Sequence, residues 1–283
     1  MDRAVAEQFQ ALRGPGGPVW MGVLNLTPDS FSDGGVLVHD GGVDVAAAVA
    51  AGAALCRAGA GILDLGPEAS SFFRPGVVPV GAAEQWARVG PVLNQRAAWP
   101  GVLLSIDTRS AAVARAAVAA GAHIINDISA GVDDPAMLAT AAELECGLIL
   151  MHRGASFPAN PSADDPQITN RVAEELQQRV AAAVAAGVRR EYIWLDPGIG
   201  FGKTMGDNAR LVTEIGELVA LGYPVVLGIS RKRFLAQVAC PPPPAWWPGD
   251  AHERDWATWW LTQGAVARGV RVHRVHRVFG ESK

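Results

Sequence analysis

A short apolar run, Val19 to Leu24, ends abruptly in Asn25, Thr27, Asp29, Ser30, Ser32 and Asp33, closed by Gly34 and Gly35. An amide, two carboxylates and three hydroxyls after an apolar run mark a strand that delivers polar groups to a ligand. The pattern recurs along the chain. Asn25, Glu68, Asp107, Asn126, His152, Asp196, Ser230 with Lys232, and His276 each end or follow an apolar run. Decoration of a surface would scatter polar residues over both ends of the strands. Their collection at the C-terminal ends is what an active site on a parallel barrel requires. Helix capping is the competing account, and Asp107 before Thr108-Arg109-Ser110 is the residue it suits best. In the last run, Arg271 to His276, alternate residues share a face, so Arg274 and His276 can hold an anion together. His273 lies on the other face, which argues against a His–His metal site. The glycine-rich segment Asp196-Pro-Gly-Ile-Gly-Phe201-Gly-Lys203-Thr fails the Walker pattern, because Pro197 stands where its first glycine belongs. It fails the dinucleotide pattern at Lys203. Its glycines suit close passage of backbone beside a flat ligand.

The elements that must position these groups are legible as strand-like runs at 19–24, 62–65, 102–106, 123–125, 148–151, 193–195, 225–228 and 272–275. Helical patterns lie between them at 43–58, 81–93, 109–120, 134–144, 167–187, 206–221 and 254–268, with a shorter helix from Arg231. Eight strands alternating with helices predict an α/β chain, a single (β/α)8 barrel over residues 1–283, with 1–16 as a leading segment. An open doubly wound sheet is disfavoured because polar groups follow nearly every strand, not only those at one crevice. Residues 153–166, with three prolines, read as a long loop and a candidate lid. The Pro- and Trp-rich stretch 240–248 reads as a surface excursion.

Composition narrows the function classes. The 283 residues are 49% hydrophobic and 18% charged, with net charge −4 and no block of like charges. That suits a large core and argues against a nucleic-acid partner. Three dispersed cysteines have no zinc spacing and fit a reducing compartment. No signal peptide or membrane span is visible, so a cytoplasmic protein is expected.

The ordered motifs Asn25-Leu-Thr-Pro-Asp29-Ser-Phe-Ser-Asp33, Ser105-Ile-Asp107-Thr, Ile125-Asn126-Asp127-Ile-Ser129, Leu150-Met151-His152-Arg153-Gly154, Leu195-Asp196-Pro-Gly-Ile-Gly-Phe201-Gly-Lys203-Thr, Gly228-Ile-Ser230-Arg231-Lys232 and Arg274-Val-His276 closely resemble dihydropteroate synthases. The likeness runs from Met21 to His276. Methyltetrahydrofolate-dependent methyltransferases share the pterin-binding barrel but are not expected to carry the first and the Ser-Arg-Lys motifs together. The resemblance implies transfer of 6-hydroxymethyl-7,8-dihydropterin diphosphate to 4-aminobenzoate, giving 7,8-dihydropteroate and pyrophosphate. It implies that Asp107, Asn126, Met151, Asp196, Phe201 and Lys232 bind the pterin. Asn25, Arg274 and His276 would bind the pyrophosphate, with Asn25 a ligand of Mg2+. Arg74, Pro75, Phe201 and Arg233 would form the acceptor pocket, and Asp29, Asp33, Asp107 and Lys232 would serve catalysis. A homodimer is implied through the late helices.

Three departures from the family stand out. Its second loop usually reads Gly-Gly-Glu-Ser-Thr-Arg-Pro-Gly. Here Glu68 and Arg74 are three residues further apart, with Phe72 and Phe73 added. Those aromatics are expected to reshape the acceptor pocket and reduce sulfonamide sensitivity. Arg233 replaces the serine that usually ends Ser-Arg-Lys-Ser, which leaves a different arylamine acceptor as an alternative. Seven residues follow His276, so the closing helix of the barrel is expected to be missing. A pterin-binding paralogue without transferase activity is the remaining alternative.

Overall fold

The computed structural model describes residues 3–14, 16–27, 37–39, 42–68, 79–157, 159, 161–244, 247–248 and 252–278. Eight parallel strands form the barrel: β1 (Val19–Asn25), β2 (Ala60–Gly66), β3 (Leu103–Asp107), β4 (Ile124–Asp127), β5 (Gly147–Met151), β6 (Ile193–Asp196), β7 (Val226–Leu227) and β8 (Val272–Val275). Each pairs with its neighbours in sequence, except that β6 and β7 form the two ends of the sheet. β8 returns to β1 with Met21 opposite Arg274, and a bridge from Leu195 to Val225 joins β6 to the start of β7. The barrel is thereby nearly closed.

Helices α2 (Val45–Arg57), α3 (Ala82–Leu93), α4 (Ala111–Ala119), α5 (Met137–Leu144), α6 (Ile168–Ala185), α7 (Met205–Thr213), α8 (Ile215–Val219) and α9 (Asp255–Ala267) connect the strands, after an N-terminal α1 (Arg3–Ala11). Local chemistry sets several starts. The Asp44 carboxylate caps α2 by accepting from the Ala47 N–H at 2.9 Å, and Thr204 with Asp207 forms a reciprocal cap on α7. The single helix expected at 206–221 is broken at Glu214. Thr213 sends its hydroxyl back to the carbonyls of Ala209 and Arg210, a bond that competes with the helix ladder. The helix expected from Arg231 is a 3-10 turn, Arg233–Gln237. β4 runs two residues beyond the expected run and so carries Asn126 and Asp127 within the strand.

Strand parity divides the residues of the barrel. Met21, Ile62, Leu103, Ile124, Ile149, Trp194, Val226 and Val272, one inward residue from each strand, form a buried cluster. Phe9 and Leu12, from α1 and the turn after it, plug this end, with the Phe9 ring edge-on to Trp194 at 5.3 Å. Outward residues pack beneath the helices in a second, larger cluster. Among the described residues β8 is the last element, and no helix is long and apolar enough to cross a membrane.

Candidate active site

Two residues beyond the apolar plug, the same face of each strand changes character. It carries Val23, Asp64, Ser105, Asn126, Met151, Asp196, Gly228 and Arg274. Two residues further on come Asn25, Gly66, Asp107, Ser230 and His276. Parity thus lines one cup with the polar groups, its floor made by the plug.

Arg274 anchors the cup. Its Nε donates to Asp64 Oδ2 at 2.7 Å and its Nη2 to Asp107 Oδ2 at 2.9 Å. Asp64 also accepts from Asn126 Nδ2 at 3.1 Å. Burial, opposed by Arg274 and reinforced by the carboxylates of Asp64, Asp127 and Glu68, lifts Asp107 to about 7. Asp107 does not cap α4; the Ser110 hydroxyl does.

On the opposite wall, Asp196 Oδ1 accepts from the Gly198 N–H at 2.7 Å. Burial raises its pKa, while Lys232, the Gly198 N–H and Arg274 oppose the rise. The Lys232 ammonium sits 4.9 Å over the Phe201 ring and donates to the Ile199 carbonyl. Burial lowers it to about 8 against the attraction of Asp196. The turn that presents Phe201 demands glycine. Gly198, Gly200 and Gly202 have φ of +64°, +84° and +63°, and a Cβ on Gly198 would lie 1.8 Å from the His152 carbonyl oxygen. Lys203 is buried beneath this turn and donates to the carbonyls of Gly198, His152 and Phe201 at 2.8, 3.2 and 3.2 Å.

His276 Nδ1 lies 3.0 Å from Ser230 Oγ. Burial, and then the positive charges of Arg274, Arg231 and Lys232, push its pKa down to about 3. The imidazole is therefore neutral near pH 7. Arg233 is exposed at the start of the 3-10 turn.

Two members of the expected polar ring turn away from the cup. His152 Nε2 is 3.0 Å from Glu175 on α6. Glu68 accepts from the Val80 N–H at 2.8 Å and pairs with Arg109 at 3.1 Å, which clasps the base of the second loop. The long loop after β5 is tied at both ends. Arg153 pairs with Asp133 at 2.6 Å, Phe157 packs on Phe201 at 5.3 Å, and the Asp165 N–H donates to Asp207. Asp29, Asp33, Arg74 and Pro75, with Phe72 and Phe73, lie outside the described residues.

Asp64 and Lys203 join the site although the pattern of strand ends does not single them out. The signal for Asp64 was present: a carboxylate inside the apolar run Ile62-Leu-Asp-Leu, on the face that reaches Gly66.

A cup of carboxylates, an amide and a lysine beside an aromatic ring, with arginine at its centre, defines a site for a flat, polar heterocycle carrying an anionic group. The family model for pterin binding enzymes matches residues 21–276, and the chain belongs to that family. It is similar to the dihydropteroate synthase of Streptococcus pyogenes, 40% identical over 261 residues, covering 91% of this chain and 90% of the relative. Among solved structures it resembles the Xanthomonas albilineans dihydropteroate synthase with 4-aminobenzoic acid, at TM-score 0.77 and 37% identity, covering 93% of this chain and 89% of the other. The same enzyme in complex with 7,8-dihydropteroate aligns at TM-score 0.75 and 35% identity, with the same coverage.

Proposed function

We propose that the chain is a dihydropteroate synthase. It joins 6-hydroxymethyl-7,8-dihydropterin diphosphate to 4-aminobenzoate, releasing 7,8-dihydropteroate and pyrophosphate. The observation that carries this reading is the convergence of Asp107, Asn126 and Asp196 with Arg274 and Lys232 in one cup. Relatives over nine-tenths of the chain bear that name, and the two X. albilineans structures hold 4-aminobenzoic acid and 7,8-dihydropteroate.

The pterin's aminopyrimidinone edge presents parallel N–H donors, which the Asp196 carboxylate accepts. Asp107 and Asn126 complete the ring contacts. Met151 and Phe201 pack against the ring, and Lys232 donates to it. The diphosphate leaves as the C–O bond to the pterin methylene breaks. The acceptor amine forms the new C–N bond and then loses its proton. That amine is unprotonated at neutral pH, so no strong general base is needed. Catalysis is stabilisation of the departing anion and the developing cation in a site closed to water. Arg274 supplies fixed positive charge, and neutral His276 supplies a ring N–H.

Mg2+ would neutralise charge on the leaving pyrophosphate when bound. The residues present fit it. Asn25 Oδ1 and an Asp107 oxygen lie 3.4 and 4.0 Å from the point a Cβ on Gly66 would occupy, which leaves an oxygen-lined cradle. Among the described residues no cage of three His, Cys, Asp or Glu exists. Mg2+ is commonly held by few protein oxygens, water and substrate phosphates.

In this reading Asp29 and Asp33 serve catalysis, Arg74 and Pro75 belong to the acceptor pocket, and Arg233 flanks the acceptor carboxylate. The added Phe72 and Phe73 reduce sulfonamide affinity. The chain works in the cytoplasm as a homodimer, packed through the apolar groove of Val212, Leu261 and Trp260, the last 42% exposed.

Pyrophosphate release by the purified protein with the dihydropterin diphosphate and Mg2+ tests the assignment. Release that requires 4-aminobenzoate is the expected result. Pterin binding without release would instead identify a non-catalytic paralogue, and release only with another arylamine would identify a different acceptor.

A further inference from the structure

Arg231 has a φ of +59°. This left-handed backbone is unfavourable for an arginine and persists where surrounding contacts enforce it. Its two neighbours are site residues. Ser230 accepts from the His276 backbone N–H at 3.2 Å and meets its Nδ1 at 3.0 Å. Lys232 stands over Phe201. Rotation of the backbone at 231 would therefore displace both the Ser230–His276 pair and the Lys232 ammonium.

The enforcement comes from the start of α9. The Thr258 hydroxyl accepts from the Arg231 N–H at 3.3 Å. The Arg231 carbonyl accepts from Arg254 Nη1 at 3.1 Å. The Arg231 guanidinium makes a two-point contact with Asp255, Nε to Oδ1 at 2.8 Å and Nη2 to Oδ2 at 3.2 Å. Asp255 is 1% exposed. Its Oδ2 also accepts from the His252 N–H at 3.1 Å, and Thr258 donates to the Arg254 carbonyl at 2.8 Å. Both peptide groups and the side chain of Arg231 are thus held by one cluster, whose own members are mutually bonded. A carboxylate in the first turn of a helix is ordinarily read as compensation of the helix dipole. Here both its oxygens are engaged on Arg231.

We propose that Asp255, supported by Thr258 and Arg254, is a positioning residue of the transferase site: it holds Arg231 in the left-handed conformation and so sets the Ser230–His276 pair and Lys232. The inference rests on the reading of the cup as the pterin donor site.

The test compares Asp255→Asn, Asp255→Ala and the double variant Asp255→Ala with Arg231→Gly. Donor affinity is measured by calorimetry with the dihydropterin diphosphate, kcat and the KM for 4-aminobenzoate by pyrophosphate release, and folding by thermal melting. Asp255→Asn is expected to weaken donor affinity and lower kcat by about tenfold each, the scale of a lost supporting contact. The acceptor KM is expected to rise as well, because Lys232 stands over Phe201 and Arg233 follows it directly, and melting should stay cooperative. The double variant should recover donor affinity to within about threefold of wild type, since glycine adopts this φ without strain and the buried guanidinium is gone. Wild-type donor affinity in Asp255→Asn overturns the proposal. So does a loss that tracks only the unfolded fraction and is not restored by glycine. If Asp255→Ala does not fold, the isosteric Asp255→Asn decides alone. A wild-type protein that binds the donor but makes no product refutes the synthase reading, and the donor affinities still decide the role of Asp255.

Discussion

Arg274 bears more of the site's electrostatics than any other single side chain, because two carboxylates meet its guanidinium in a largely dry cup. Breaking such a pair leaves an uncompensated charge, at a cost of about 3–5 kcal/mol. Asp64→Asn keeps an acceptor oxygen for Arg274 but removes one negative charge beside Asp107. Donor affinity is expected to fall about tenfold or more, as read by calorimetry, and wild-type affinity would remove Asp64 from the site. The same change alters the pH profile in a fixed direction. Asp64 raises the pKa of Asp107, which stands at about 7, so its removal shifts the acid limb of kcat/KM to lower pH. The alkaline limb should hold in place. It belongs to Lys232, whose ammonium is lost as pH rises through about 8. A wild-type profile flat from pH 6 to 9 would contradict both assignments. Asp64 also shows where sequence reasoning stopped short. The parity argument that joined Arg274 to His276 applies equally to Ile62, Asp64 and Gly66, and needs only the premise that a charge in an apolar strand has a buried partner.

At the scale of elements, the periodicity of apolar runs carried most of the information. All eight strands and most of the helices between them fall close to their expected places, because each strand is a short apolar run flanked by turn residues. What escaped was local competition for the backbone. The Thr213 hydroxyl breaks the helix that apolar spacing alone would continue through Glu214. The turn of His152 and Glu68 away from the cup depends on partners distant in sequence, Glu175 and Arg109, which no local pattern reveals. The glycine turn after β6 was legible as a close-approach segment, though not as the lid over a buried lysine. Gly198→Ala should abolish pterin binding. Its φ of +64° and the 1.8 Å contact with the His152 carbonyl both oppose a side chain. Calorimetry on the folded variant checks this, and retained affinity would show that the turn can move without consequence. At the other end of the barrel, Phe9 fills the plug against one residue from every strand. Phe9→Ala should cost about 3–5 kcal/mol of stability, measured by urea unfolding. Donor affinity of the remaining folded protein should be unchanged, because the plug and the cup occupy successive positions on the strands and share no hydrogen bond.

For the whole molecule, these burials give stability a two-sided dependence on pH. Asp107, Asp127 and Asp196 have folded pKa values raised by burial. Such groups favour the fold fully below their unfolded value near 4, and that contribution is lost as pH rises through the folded value. Three histidines act in the opposite sense. Burial lowers His152 to about 3, His273 to about 4 and His276 to about 3. Their contribution is present above an unfolded value of about 6.5 and is lost as pH falls toward the folded values, because only the unfolded chain takes up the protons. His273 isolates this effect. It lies on the outward face of β8, fully buried and 5.6 Å from the Trp20 ring, away from the cup. Between pH 6.5 and pH 5 its deprotonated burial should cost up to about 2 kcal/mol, at about 1.4 kcal/mol per pH unit. His273→Leu carries no such proton linkage. Whatever its stability relative to wild type at pH 8, the variant should gain on wild type by up to that amount on acidification to pH 5. Urea unfolding of both proteins at the two pH values measures the difference. A constant offset between them would mean that His273 is protonated in the folded state, and that the outer face of β8 admits charge.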